Sequence, residues 1–327
     1  MYFLKLIRIK NLVFVAFIQI IMRQVLLMPI LQKYGFEISA IDLNFLFMML
    51  ATILLAAGGY VLNDYFDVKI DAINRPDQLI VTKSVSKPNA MLFYQILTVL
   101  GVISGLVLAY RVSSFTLAFI FIVVPGLLWF YSSSYKRQFL IGNLVVSLLA
   151  ALSVLIVAIV ELAVLEQDFG ALLFETPIPH QFYLWIGGFS IFSFLLTWIR
   201  EIIKDIEDEK GDREMECRTM ALKWGTPKTK YFLYFLIAVT VVALIVIQFF
   251  ITEFEGNLTV KYITFGLALP LALLVFLISK AQNVPDYHQA STFVKFIMLS
   301  GVLYSYIFYF QMAKTYGISV FDIFIIK

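Results

Sequence analysis

Charge is what this chain has least of: only 14% of its 327 residues are Asp, Glu, Lys or Arg. Ordinary globular domains carry about a quarter, so too little polar surface is available to cover a water-facing exterior. The solvent for most of the surface is therefore lipid, in keeping with a mean hydropathy of +0.90 and 61% hydrophobic residues. A single cysteine, Cys217, excludes a disulfide framework within the chain, and two histidines, His180 and His288, leave little for a histidine-based zinc or iron centre. Carboxylates remain as the available metal ligands. The formal net charge is +3, and no nucleic-acid partner is expected. No low-complexity tract or long linker divides the sequence, and residues 1–327 read as one domain.

Apolar runs long enough to cross about 30 Å of hydrocarbon as helices occur near 12–31, 43–62, 90–110, 113–131, 139–161, 182–200, 231–251, 262–279 and 293–312. They are continuously apolar, without the alternation of a barrel strand. The expected fold is thus all-α, a polytopic bundle of nine transmembrane helices. The first run has Lys5, Arg8 and Lys10 ahead of it, like a signal peptide, but lacks a small-residue cleavage site and reads as a retained span. Basic residues are strongly biased to one side: 18 lie at the N-terminus and in the loops after the even-numbered spans, against five on the other side. By the positive-inside rule the N-terminus is cytoplasmic, and an odd number of spans puts the C-terminus outside. The expected location is the cell membrane, with the lipid bilayer as partner.

Two polar clusters interrupt this pattern on the cytoplasmic side. The second span runs into Asn63, Asp64, Asp67 and Asp71, and the sixth into Lys204, Asp205, Asp208 and Asp212. The spacing i, i+3, i+7 recurs in both, which on a continuing helix places three carboxylates on one face. Such clusters need a cation, and hard oxygen ligands suit Mg²⁺, which binds through one or two carboxylates plus substrate phosphates. Either cluster alone reads equally well as a solvated loop; two copies of one spacing on one side favour a shared diphosphate clamped by metal. Asn74 and Arg75 follow the first cluster, and Tyr131, Lys136 and Arg137 stand where the fourth span exits, placed to contact a diphosphate or to anchor topology. Arg23 lies about halfway along the first span, where an ionisable group is expensive; it is expected to face the interior and meet an anionic acceptor or a structural partner. Arg8 and Asn11, at the mouth of that helix, are weaker candidates for substrate contact.

With these residues in view, the sequence resembles the UbiA-type intramembrane prenyltransferases. The first motif follows that family's Asn-Asp-x-x-Asp-x-x-x-Asp and the second its Asp-x-x-Asp-x-x-x-Asp, and the Tyr-Lys-Arg exit of the fourth span agrees. The resemblance implies nine helices around a central cavity opening laterally to lipid. It also implies Mg²⁺ held by Asp64, Asp67, Asp71, Asp205, Asp208 and Asp212, with Asn63, Arg75, Lys136 and Arg137 toward the diphosphate. The implied partners are a prenyl diphosphate and a lipid-soluble acceptor. The run 200–212 looks most like the branch that geranylgeranylates geranylgeranylglycerol phosphate, and prenylation of a quinone precursor such as 4-hydroxybenzoate is the alternative. Many aromatic-acceptor members carry Arg-Pro near the start of the first helix; here Arg8 is followed by Ile9. A divalent-cation transporter, the rival of another class, predicts carboxylates near the midplane rather than at helix ends.

Overall fold

The computed structural model describes residues 2–36, 42–250, 254, 256–320 and 324–325. Nine helices among them are long and apolar enough to cross a membrane. They are α1 (Ile9–Lys33), α2 (Leu43–Asn74), α3 (Lys87–Arg111), α4 (Phe115–Ser133), α5 (Ile141–Phe169), α6 (Ile178–Glu207), α7 (Met220–Gln248), α8 (Leu258–Lys280) and α9 (Val284–Tyr316). Each expected span falls on one of these to within a few residues at its ends, residue 251 of the seventh lying outside the described residues, and α2, α6 and α9 run well past the apolar stretch at one end. Apart from a two-residue strand pair, Ser319–Val320 with Phe324–Ile325, and a lone bridge between Val81 and Val85, regular structure among the described residues is helical.

Local chemistry sets where the helices begin and bend. Asp42 caps α2 by accepting from the Phe45 N–H at 2.8 Å, and Asn283 and Asp286 form a reciprocal capping box on α9. Helix α9 stops at Gly317, whose φ of 65° is left-handed backbone. Within α1 and α8 the turns Met22–Leu27 and Ile263–Ala268 are π-helical, and Pro29 and Pro270 follow them. A proline ring collides with the carbonyl four residues back and gives it no N–H, which accounts for the widened turns. At the second of them the carbonyl of Gly266 is satisfied from a neighbouring helix, by the Ser300 hydroxyl at 2.8 Å.

Small residues let the helices close on one another, as lipid-soluble bundles require. A Cβ at Gly58 would stand 2.9 Å from Thr98 Oγ1 and one at Gly101 2.9 Å from Leu55, so α2 and α3 pack almost backbone to backbone. A Cβ at Gly301 would collide with the Phe192 ring, which fixes the approach of α9 to α6. Apolar side chains such as Tyr110, Phe115 and Phe265 point outward, the pattern of a lipid-facing surface.

Arg23 is fully buried in the π turn of α1. Its guanidinium donates to Glu161 at 2.8 Å and to Asp42 at 2.7 Å, and stacks over the Phe45 ring at 5.0 Å. Asp42 is at the start of α2, and the 22 residues from there to Asp64 put this cluster about 33 Å, along the helix axis, from the first Asp motif. Of the two roles expected for Arg23, contact with an anionic acceptor or a structural pairing, the structure shows the pairing. Replacing Glu161 with Ala removes a buried carboxylate partner of the guanidinium and is expected to cost on the order of 3 kcal/mol. A clear fall in the melting temperature of the detergent-solubilised protein checks this, and unchanged melting would contradict it.

Candidate functional site

Helix α2 continues through its last three turns to Asn74, so Asp64, Asp67 and Asp71 do share a face with Asn63 alongside. The second motif departs from the expected continuous helix. Helix α6 ends at Glu207, Asp208 sits at a corner with φ −93° and ψ 5°, and a short helix, Glu209–Glu214, carries Asp212. Asp205, Asp208 and Asp212 therefore lie on two helices that meet at an angle, not along one stripe.

That corner is held by the end of α2. The Asn74 amide donates to the Asp208 carbonyl at 3.1 Å and accepts from the Gly211 N–H at 2.9 Å. A Cβ at position 211 would stand 2.5 Å from the Asn74 side chain, so glycine is what admits the contact. Next to it, Arg75 grips both oxygens of Asp208, at 2.7 and 2.8 Å, and reaches Glu207 at 3.5 Å. The two motifs, 134 residues apart in sequence, are thus joined directly.

Most of the other expected residues converge here. Arg8, at a left-handed bend ahead of α1, donates to Asp64 at 2.8 Å and lies over Tyr60. Lys136 pairs with Asp67 and donates to Asn63 at 3.0 Å. Arg137 reaches the Phe66 carbonyl at 3.4 Å, and its own carbonyl accepts from the Arg218 N–H at 2.7 Å. Gly142 lets the start of α5 lie against this turn, since a Cβ there would stand 2.5 Å from the Lys136 backbone. Tyr131, in the last turn of α4, feels the charges of Glu201, Asp67 and Asp205. Lys204 faces Glu201 at 3.8 Å. Asn11 does not join the cluster: its N–H bonds back to the Arg8 carbonyl, and among the described residues its side chain makes no hydrogen bond.

Several contributors were not singled out in the sequence. Asn143 donates to Asp205 at 2.8 Å, and His288 meets the buried Glu207 at 2.9 Å. Glu201 pairs with Arg200 at 2.6 Å. An Asn one residue after a Gly, at the start of a span, was the available signal for Asn143. Glu207 and His288 carried none, because their pairing depends on which helices become neighbours.

Concentrating carboxylates raises their proton affinity. Burial, with the charges of Asp208 and Asp67, pushes Asp212 up to about 7. Burial also raises Asp208, against the opposing Arg75 charge, and lowers Lys136, against the opposing Asp67 charge. The donor set is all oxygen, as Mg²⁺ requires. Among the described residues no three acidic, His or Cys groups converge closely enough to hold a metal by themselves; Arg8, Lys136, Arg75 and Asn143 hold the carboxylates apart. A cation here would need further oxygens from a bound phosphate, which is how Mg²⁺ is commonly completed.

Comparisons with known proteins bear on the family and the fold. The chain is 28% identical over 267 residues to a digeranylgeranylglyceryl phosphate synthase of Sulfurisphaera tokodaii, covering 82% of this chain and 86% of that one. It is 28% identical to the enzyme of the same name from Methanobrevibacter smithii, covering 84% and 88%. The fold is shared with a solved digeranylgeranylglyceryl phosphate synthase (24% identity, TM-score 0.59, 93% of this chain and 98% of that one). It is also shared with a UbiA homologue from Aeropyrum pernix K1 (14%, 0.63, 89% and 96%) and one from Archaeoglobus fulgidus solved with GPP and Mg²⁺ (14%, 0.54, 94% and 99%). The model of the UbiA prenyltransferase family matches residues 29–310, a stretch that contains both Asp motifs and the junction between them, and the chain belongs to that family.

Proposed function

We propose that this protein transfers a geranylgeranyl group from its diphosphate to the hydroxyl of geranylgeranylglycerol phosphate, with Mg²⁺ as cofactor. The observation that carries the reading is the junction of the two Asp motifs through Asn74, Gly211 and Arg75, which makes one oxygen-rich, cation-rimmed mouth from two distant segments. The names of the relatives supply the acceptor. In this reading Asp64, Asp67, Asp71, Asp205, Asp208 and Asp212 hold Mg²⁺, and Asn63, Arg75, Lys136 and Arg137 contact the diphosphate. The salt bridges of the structure exchange when substrate enters, because each cation now facing a carboxylate would face a phosphate oxygen. The strong basic bias of the loops at this end supports a cytoplasmic mouth, with the C-terminus outside.

The reaction breaks the allylic C–O bond, with the electron pair leaving on diphosphate, and forms a C–O bond from the acceptor hydroxyl, whose proton passes to the released diphosphate. Bound Mg²⁺ would supply charge stabilisation for the leaving group. Arg75, Lys136 and Arg137 are preorganised toward the same charge. The apolar bundle excludes water from the carbocation-like carbon, and Tyr131 offers it an aromatic face at the mouth.

Purified protein given radiolabelled geranylgeranyl diphosphate is expected to label geranylgeranylglycerol phosphate with Mg²⁺ and not with EDTA. Label in 4-hydroxybenzoate instead would move the enzyme to quinone synthesis. Asp67→Ala and Asp208→Ala are each expected to abolish transfer while the protein still folds in detergent, and retained turnover in either would sink the ligand assignment. A pH effect follows from Asp212. A carboxyl that titrates near 7 must lose its proton to bind metal, so the Mg²⁺ concentration for half-maximal activity should fall as pH rises from 6 to 8. An Asp212→Asn variant with the same pH dependence would refute that origin. Without metal the sign for stability is opposite: the raised group favours the folded state while protonated, and that contribution is lost as pH rises through about 7.

A further inference from the structure

Arg75 meets the Asp corner through one nitrogen. Its Nη2 lies 2.7 and 2.8 Å from the two oxygens of Asp208 and 3.5 Å from Oε1 of Glu207. Among the described residues Nε and Nη1 make no hydrogen bond. The guanidinium is a rigid planar fork with five donors, so fixing one tip sets where the others point. The side chain is 31% exposed, which leaves that unused part of the fork open to what enters the mouth.

The two carboxylates that share this tip differ. Asp208 belongs to the second motif, and in the function proposed above it is given over to Mg²⁺, which removes the two shorter contacts from Arg75. Glu207 belongs to no motif. It closes α6 with its side chain only 6% exposed, and the oxygen nearest Arg75 also accepts from His288 Nδ1 at 2.9 Å. An ionised carboxylate only accepts, so that ring nitrogen carries the proton. His288 comes from a turn fixed independently of the motifs: Asn283 and Asp286 cap the start of α9, and the buried Tyr287 donates to the Ala281 carbonyl at 3.3 Å. A buried carboxylate is costly unless it is paired. Glu207 is thus held from α9 on one side and holds Arg75 on the other.

We propose that Glu207 is a positioning residue for prenyl transfer, and that the His288–Glu207 pair is the fixed post on which Arg75 keeps its aim when Asp208 releases it. The group recognised through this post is the diphosphate of the prenyl donor, for which the free donors of Arg75 are available. This deepens the function proposed above and rests on its reading of Arg75 as a diphosphate contact. Without Glu207 the arginine has to be ordered afresh when the donor binds, at a cost in side-chain entropy, so the loss falls on the donor substrate and not on the acceptor.

The test is a titration of a non-hydrolysable geranylgeranyl diphosphate analogue into the purified, lipid-reconstituted protein with Mg²⁺, beside the steady-state KM for geranylgeranylglycerol phosphate. Glu207→Gln keeps the shape and removes the charge, and is expected to raise Kd for the analogue about tenfold. KM for the acceptor should stay within about twofold, which also reports an intact fold. His288→Ala should cause part of that loss, and His288→Asn, whose amide can stand in for Nδ1, should restore most of it. Glu207→Gln added to Arg75→Gln should weaken the analogue no further, because Glu207 acts through Arg75. An unchanged Kd in Glu207→Gln, equal rises in Kd and acceptor KM, or a loss that adds to that of Arg75→Gln would overturn the proposal while leaving the reading of Arg75 intact. If Arg75→Gln itself leaves the Kd unaltered, that reading fails, and this inference with it.

Discussion

Bringing two carboxylate clusters to one point at the edge of a membrane is electrostatically unfavourable, and the fold depends on how that repulsion is offset. Three cations from three different segments are interleaved with the acids: Arg8 on Asp64, Lys136 on Asp67 and Arg75 on Asp208. The backbone junction of Asn74 with Asp208 and Gly211 adds a neutral, geometrically specific tie that does not weaken with salt. In the proposed function these same cations receive the diphosphate, so that binding would exchange partners instead of exposing charge.

The opposite half of the bundle solves its charge problem differently. Arg23 and Glu161 are buried and Asp42 is partly exposed, away from the mouth, and the three tie α1, α5 and the start of α2 together. Removing one partner from such a buried set leaves an uncompensated charge, the costly outcome.

The spans were legible because hydropathy over about 20 residues is a strong signal, and the first motif because α2 continues as a helix past the apolar run. The corner at Asp208 was not legible: the spacing of Asp205, Asp208 and Asp212 is helical, and the backbone turns because Asn74 arrives from 134 residues away to bond both sides of it. Arg23 shows the same limit. Its burial followed from its position, but whether its partner was a ligand or Glu161 depended on the packing of α5 against α1. Spacing along one element was readable, and pairing between elements was not.

The central claim is that neither Asp motif holds metal alone and that both act on one diphosphate. Electron paramagnetic resonance of Mn²⁺ titrated into the purified protein, with and without a non-hydrolysable prenyl diphosphate analogue, tests this most directly. Tight Mn²⁺ binding should appear only with the analogue present, and Asp64→Asn and Asp208→Asn should each abolish it. Tight binding without the analogue, or its survival when one motif is disabled, would contradict a single shared site.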